Sequence, residues 1–225
     1  MSRKLAFIHT VSTAFSQFDA LAKEILPNDV MVYHVTDEIL AKVVLAQGGL
    51  SPFIYRRVTE HAVAAQEAGA NVVQLTCSSV SPCADAASFM VDIPVLKIDE
   101  PMVDHALSIG TRIGLVATAP TALNPLADLV RARAQVAGKD VQVDSVLSEG
   151  AYEALFSRGD PEEHDRILRE TLRELMARSD VVLLAQASMA RVADTIPPEE
   201  QTVPILSAVR SSVERARDVL DEVTS

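Results

Sequence analysis

Basic residues are scarce in this chain: 20 Lys and Arg stand against 31 Asp and Glu, a net charge of −11 over 225 residues. A nucleic-acid partner needs a concentrated basic face, so none is expected. The overall balance does not describe any single pocket, and a small acidic substrate stays compatible with it. Long apolar runs are also missing, since none approaches the roughly 20 residues that cross a bilayer. Arg3 and Lys4 run directly into a short strand-like segment, which is not the layout of a secretory signal. The expectation is a cytoplasmic enzyme or binding protein without a membrane partner.

Cysteine is nearly absent as well. Cys77 and Cys83 lie six apart and, without secretory features, read as free thiols rather than a disulfide. Neither belongs to a CxxC pair. The five histidines (His9, His34, His61, His105 and His164) are scattered without metal-ligand spacing, so no metal site is expected. What is present is an ordinary globular composition, 48% hydrophobic and 23% charged, in a chain long enough for one large or two small domains.

The chain alternates between strand and helix patterns, which predicts parallel sheets flanked by helices. Leu5 to Thr10 is a short apolar run ending in polar groups, and Phe15, Phe18, Ala22 and Ile25 share a helical face that stops at Pro27. Val30 to Val35 reads as a strand, with a helix from Thr36 to Gly48. Ser51-Pro52 starts another helix running towards Gly69. Val72 to Leu75 is a buried strand whose carboxyl end opens into Thr76-Cys77-Ser78-Ser79. Ser81-Pro82 is expected to restart a helix just beyond it. Ile93 to Leu96 is a further strand, and a helix opens at Asp99-Glu100-Pro101.

The same programme then restarts. Arg112 to Thr118 resembles Lys4 to Thr10, and Val181 to Ser188 resembles Val72 to Ser79, with Gln186 opposite Cys77 and Ser188 opposite Ser79. Asp160 caps a helix with Glu163 placed for a reciprocal bond. Thr10 to Thr118 spans 108 positions, Cys77 to Gln186 spans 109, and Pro94 to Pro204 spans 110. Offsets this constant favour duplication of one α/β unit. The predicted fold is therefore two similar α/β lobes related by a pseudo-twofold: residues 1–97 with 208–225, and residues 98–207.

Ligands of open parallel sheets bind beyond the carboxyl ends of the strands. The candidate site groups are thus Thr10, Cys77, Ser78 and Ser79 from the first lobe, with Thr118, Gln186 and Ser188 from the second. If the two sheets face each other, these groups meet in one cleft. Hydroxyls, an amide and backbone N–H groups suit a carboxylate without basic side chains. The plain alternative for the hydroxyl residues is helix capping, for Cys77 a small core residue, and for Gln186 a strand terminator. His9 alternates with Thr10 along the strand and reads as structural.

The two related lobes, the strand-end Cys77 with its small polar successors, Gly114 to Thr118, and the late Leu183-Leu184 strand resemble the aspartate/glutamate racemase superfamily. That superfamily includes hydantoin racemases, maleate isomerases and arylmalonate decarboxylases. The resemblance implies cofactor-independent chemistry in which two cysteines face opposite sides of a substrate carbon, one as thiolate base and one as thiol acid. Cys77 matches the first. Gln186, or Ala187 if the register slips by one, stands where the second would be, and an amide does not exchange protons at useful pH. The expectation is a racemase-like or isomerase-like enzyme acting on a small carboxylate compound through Cys77 alone. A cofactor-free malonate-type decarboxylase and a non-catalytic carboxylate binder are the alternatives; a homo-oligomer is compatible with each.

Overall fold

In the computed structural model, residues 3–225 are described. Strands and helices alternate as β1 (Arg3–His9), α1 (Thr13–Ile25), β2 (Val30–Thr36), α2 (Glu38–Gln47), α3 (Pro52–Glu67), β3 (Val72–Leu75), α4 (Cys83–Ala87), β4 (Val95–Leu96) and α5 (Glu100–Ile109). The order continues with β5 (Arg112–Ala117), α6 (Pro120–Val136), β6 (Gln142–Leu147), α7 (Pro161–Met176), β7 (Val181–Leu184), α8 (Ala190–Ala193), β8 (Ile205–Ser207) and α9 (Ala208–Thr224). Every strand pair is parallel. The strands form two four-stranded sheets, ordered β2-β1-β3-β4 and β6-β5-β7-β8.

The chain divides into two compact units. One runs to Ile98 and regains Val209–Ser225; the other is Asp99–Ala208. In the first, α9 is tied by Arg210 to Glu24 of α1 at 2.6 Å and by an ion pair between Arg3 and Asp221. Its buried stripe of Val213, Ala216 and Leu220 follows the helical period.

The central strands explain themselves. Val72–Leu75 and Val181–Leu184 are buried at every position, as strands covered on both faces must be. The edge strands β2 and β6 carry polar and half-buried residues. One core of the first unit packs Leu40, Val44, Ile54, Val58, Val80 and Cys83 against β1 and β3. Its counterpart in the second packs Leu168, Leu172, Leu175 and Met189 against β5 and β7.

Several boundaries differ from the sequence reading. Thr36 closes β2, and the cap of α2 is Asp37, whose carboxylate accepts the Ile39 N–H at 3.1 Å. Asp160 does cap α7 by accepting from Glu163 N–H at 3.0 Å, but the Glu163 carboxylate turns to Arg166 rather than back to the cap. After Cys77 comes a single tight turn, Ser78–Val80, and the helix expected to restart at Ser81-Pro82 is the five-residue α4. Residues Glu153–Ser157 form a widened π-type turn that no periodicity announced.

Gly114 of β5 is dictated by packing. A Cβ there would lie 2.5 Å from Ser179 Oγ and 2.7 Å from Leu175 Cγ, so α7 can approach the sheet only over a glycine. The equivalent strand position in the first unit is Ala6, where no such approach is needed. Gly114→Ala is expected to destabilise the protein by about 1–3 kcal/mol through overpacking, read as a lower urea midpoint. An unchanged midpoint would contradict this account of the β5–α7 contact.

Candidate active site at the strand ends

The two units end their central strands in the same way. Ile8 pairs with Leu75 and Val116 pairs with Leu184. One residue on, Thr76 N–H donates to the Ile8 carbonyl at 3.1 Å and Ala185 N–H to the Val116 carbonyl at 3.0 Å. The next residues are Cys77 and Gln186, with backbone angles of −141°, 122° and −138°, 137°. Each then leads into a three-residue turn, Ser78–Val80 or Ala187–Met189. The register therefore sets Gln186 against Cys77, with no slip to Ala187.

In the first unit, Thr10 and Cys77 follow the ends of the adjacent strands β1 and β3, and Ser78 and Ser79 open the turn beyond Cys77. Thr10 and Ser78 are buried; Cys77 and Ser79 are half-buried. Cys83, the other thiol, is fully enclosed, and burial with the nearby Asp85 carboxylate pushes its pKa up to about 12. Cys77 is therefore the more accessible of the two thiols.

In the second unit, the Gln186 side chain is locked. Its Oε1 accepts both Thr118 N–H at 2.7 Å and Thr118 Oγ–H at 2.9 Å. A backbone N–H can only donate, so the carbonyl oxygen must face Thr118 and the NH2 group must turn away. Gln186 thus offers two oriented N–H donors. Thr118 is not a helix cap: α6 is capped by Ala119 without a side-chain bond. Ser188 is exposed in the turn that follows Gln186.

Two further groups at the carboxyl edge of the first sheet escaped the sequence reading. Asp37, directly after β2, donates its N–H to the His9 carbonyl at 2.9 Å. Its buried carboxylate accepts from His61 Nε2 at 2.8 Å and from Arg57 Nε. Burial alone would raise the Asp37 pKa, but these bonds and the Ile39 N–H outweigh it, and the net shift is downward. The spacing of Arg57 and His61, one helical turn apart on α3, was the only available signal.

The second group is built on His9. Its Nδ1 lies 2.8 Å from Thr76 Oγ1 and its Nε2 lies 2.9 Å from His34 Nδ1. Thr76 Oγ1 also reaches the Ile8 carbonyl at 3.1 Å. Burial, aided by His34, lowers the His9 pKa to about 4, so the ring is neutral around pH 7. His9, read from the sequence as structural, is hydrogen-bonded to the residue just before Cys77.

Alkylation counts the accessible thiols. Iodoacetamide at pH 8 is expected to label one cysteine of the folded protein and two in urea, and Cys77→Ala should leave none reactive before unfolding. Mass spectrometry reads the number directly; labelling of Cys83 at a rate similar to Cys77 would contradict the burial argument.

The family model for Asp/Glu/Hydantoin racemase matches residues 14–216. No curated protein matches the chain. Among solved structures, glutamate racemase from Francisella tularensis, in complex with D-glutamate, is 14% identical with a TM-score of 0.76, covering 98% of this chain and 82% of that one. Allantoin racemase from Klebsiella pneumoniae is 19% identical with a TM-score of 0.71, covering 98% and 89%. An aspartate racemase homologue from Pyrococcus horikoshii is 15% identical with a TM-score of 0.66, covering 100% of each chain. These likenesses show a common fold, and with the family match over most of its length the chain belongs to the Asp/Glu/hydantoin racemase family.

Proposed function

We propose that the protein is a cofactor-independent, isomerase-type enzyme acting on a small carboxylate-bearing compound, with Cys77 as its one reactive thiol. The observation that carries this reading is the strand-end pair: a half-buried thiol at residue 77 and, at the equivalent place in the second unit, an amide locked by Thr118. Family membership supports the isomerase class.

The division of labour follows from the chemistry of the groups. A thiol is an acid and base tunable towards neutral pH, whereas an amide only donates and accepts hydrogen bonds. Cys77 therefore handles covalent or proton-transfer steps. Gln186 donates its two N–H groups to a carboxylate or to the enediolate that forms from it, where negative charge builds up. Thr118 is a positioning residue, since its N–H and hydroxyl hydrogen are both committed to Gln186. Thr10, Ser78, Ser79 and Ser188 supply further hydroxyls to the carboxylate.

A single thiol suits two reactions. In an isomerisation, the Cys77 thiolate adds to a double bond conjugated with the carboxylate, and the π electron pair moves into the carboxylate. After rotation about the new single bond, the pair returns and the C–S bond breaks. In a decarboxylation, a malonate-like substrate loses carbon dioxide, the bonding pair remains as an enediolate, and the Cys77 S–H protonates it. The absence of a thiol at residue 186 favours both over racemisation by two thiols.

Solvent deuterium incorporation and product analysis over amino acids, hydantoins, unsaturated dicarboxylates and substituted malonates provide the test. Cys77→Ala and Cys77→Ser are expected to lower turnover by about 10²- to 10⁴-fold, the usual contribution of an acid–base group. Unchanged turnover in both variants removes Cys77 from the mechanism. Gln186→Glu keeps the acceptor for Thr118 but replaces the donor amide by a negative charge. Binding of the carboxylate substrate should weaken at least ten-fold, the effect of an unpaired or repelled charge, while the thermal midpoint stays close to that of the parent. Unaltered substrate binding would exclude Gln186 as the anion donor.

A further inference from the structure

His34 stands at the far end of the hydrogen-bonded row that runs through His9 to Thr76. Its Nδ1 meets His9 Nε2, and its Nε2 has no hydrogen-bond partner among the described residues but lies 3.9 Å from Asp19 Oδ1 of α1. Lys23, also on α1, holds Asp19 at 2.7 Å. The rings of Phe7 and Phe15 flank His34 at 5.4 and 4.5 Å, so Asp19, Lys23 and His9 are the titratable groups that face it. Burial lowers the His34 pKa below its ordinary value, with Asp19 opposing and Lys23 assisting.

Two hydrogen arrangements of the row keep a hydrogen on His34 Nε2, towards the Asp19 carboxylate. When His34 is neutral, its hydrogen belongs on Nε2, because a bare lone pair there would face the Asp19 carboxylate. Its Nδ1 then accepts from His9 Nε2–H, and His9 Nδ1 accepts the Thr76 hydroxyl hydrogen. When His34 is charged, both its nitrogens carry hydrogen and Nδ1 must donate. His9, still neutral, must then carry its hydrogen on Nδ1 and donate it to Thr76 Oγ. The Thr76 hydroxyl hydrogen is left for the Ile8 carbonyl, which can only accept. The row gains one proton from water in total, and His9 changes tautomer without changing charge.

The second unit lacks every part of this row. By strand register, His9 corresponds to Ala117, Thr76 to Ala185 and His34 to Ser145. The row is present only in the unit that carries the thiol, which a purely general packing role would not require.

We infer that His34, acting through His9, is a proton-sensing positioning residue for Cys77. Its protonation switches the Thr76 hydroxyl onto the Ile8 carbonyl and clamps β1 to the strand end that bears the thiol. Below the pKa of His34 the clamp is made; as pH rises through that value it is released. The link to activity rests on the reading of Cys77 as the reactive thiol, but the switch itself does not.

Side-chain nitrogen NMR of the intact protein from pH 4.5 to 8 tests the switch. His34 is expected to titrate while His9 stays neutral and moves from the Nε2–H to the Nδ1–H tautomer in step with it. The same tautomer of His9 at both ends of the titration would overturn the proposal, whatever the outcome for turnover. Cys77 alkylation against pH tests the consequence. Beyond the titration of the thiol itself, the parent should show a step of about five-fold, the worth of one hydrogen bond, at the pH where His34 titrates. His34→Asn cannot titrate and should lose the step while remaining folded. A step that persists in this variant assigns it elsewhere and also overturns the proposal.

Discussion

The constraint on which the site depends is the place where parallel pairing stops. A parallel ladder satisfies backbone groups only as far as both strands extend, and beyond that point the chain must find other partners or turn away. In both units the last bond runs from the residue after the central strand, Thr76 or Ala185, to a carbonyl of the neighbouring strand. The next residue therefore stands clear of the sheet at a fixed position and angle. Whatever side chain occurs there is presented beyond the carboxyl edge, and the two units present a thiol and an amide.

Much of this was legible in the sequence because the central strands are short, wholly apolar and followed by small polar residues. Buried strands of that kind need no partner to be recognised, and their offset of 109 survives in the register of the folded chain. The Thr118–Gln186 contact was legible only as two candidates, since nothing in either segment says that one amide oxygen accepts twice. The His9 row was not legible at all. His9 and His34 come from two strands and Thr76 follows a third, and only the pairing of Phe7 with His34 and of Ile8 with Leu75 brings them into one line. Alternation along β1 set His9 apart from Thr10 but could not show what His9 would meet. Asp37 illustrates a local failure: the polar Thr36 looked like a cap, yet β-sheet pairing to His9 extended the strand by one residue and passed the cap to Asp37.

The proposed carboxylate ligand of so acidic a protein requires donors that do not depend on net charge. Gln186 and the strand-end hydroxyls would meet that requirement because hydrogen bonds act at short range, whereas the excess of carboxylates is spread over the surface and screened within about 10 Å by salt. The surface carboxylates are themselves largely matched: Arg166 binds Glu163 and Glu170, Arg112 binds Asp180, and Arg191 binds Asp165 through both nitrogens. Most of the basic side chains that might have served a substrate are thus engaged in holding helices and turns.

The divergence of the two units is coordinated rather than scattered. Where the first unit has Cys77, Thr76 and His9, the second has Gln186, Ala185 and Ala117, and the replacement removes the thiol, the threonine hydroxyl and the imidazole at once. What remains instead is a different and complete arrangement, in which Thr118 fixes Gln186 with two hydrogen bonds to one oxygen. Each unit is therefore internally consistent: one surrounds its strand end with groups that gain and lose protons, and the other with groups that keep them. Two copies of one fold have been specialised by changing the residues that the end of a parallel strand must, by its geometry, display.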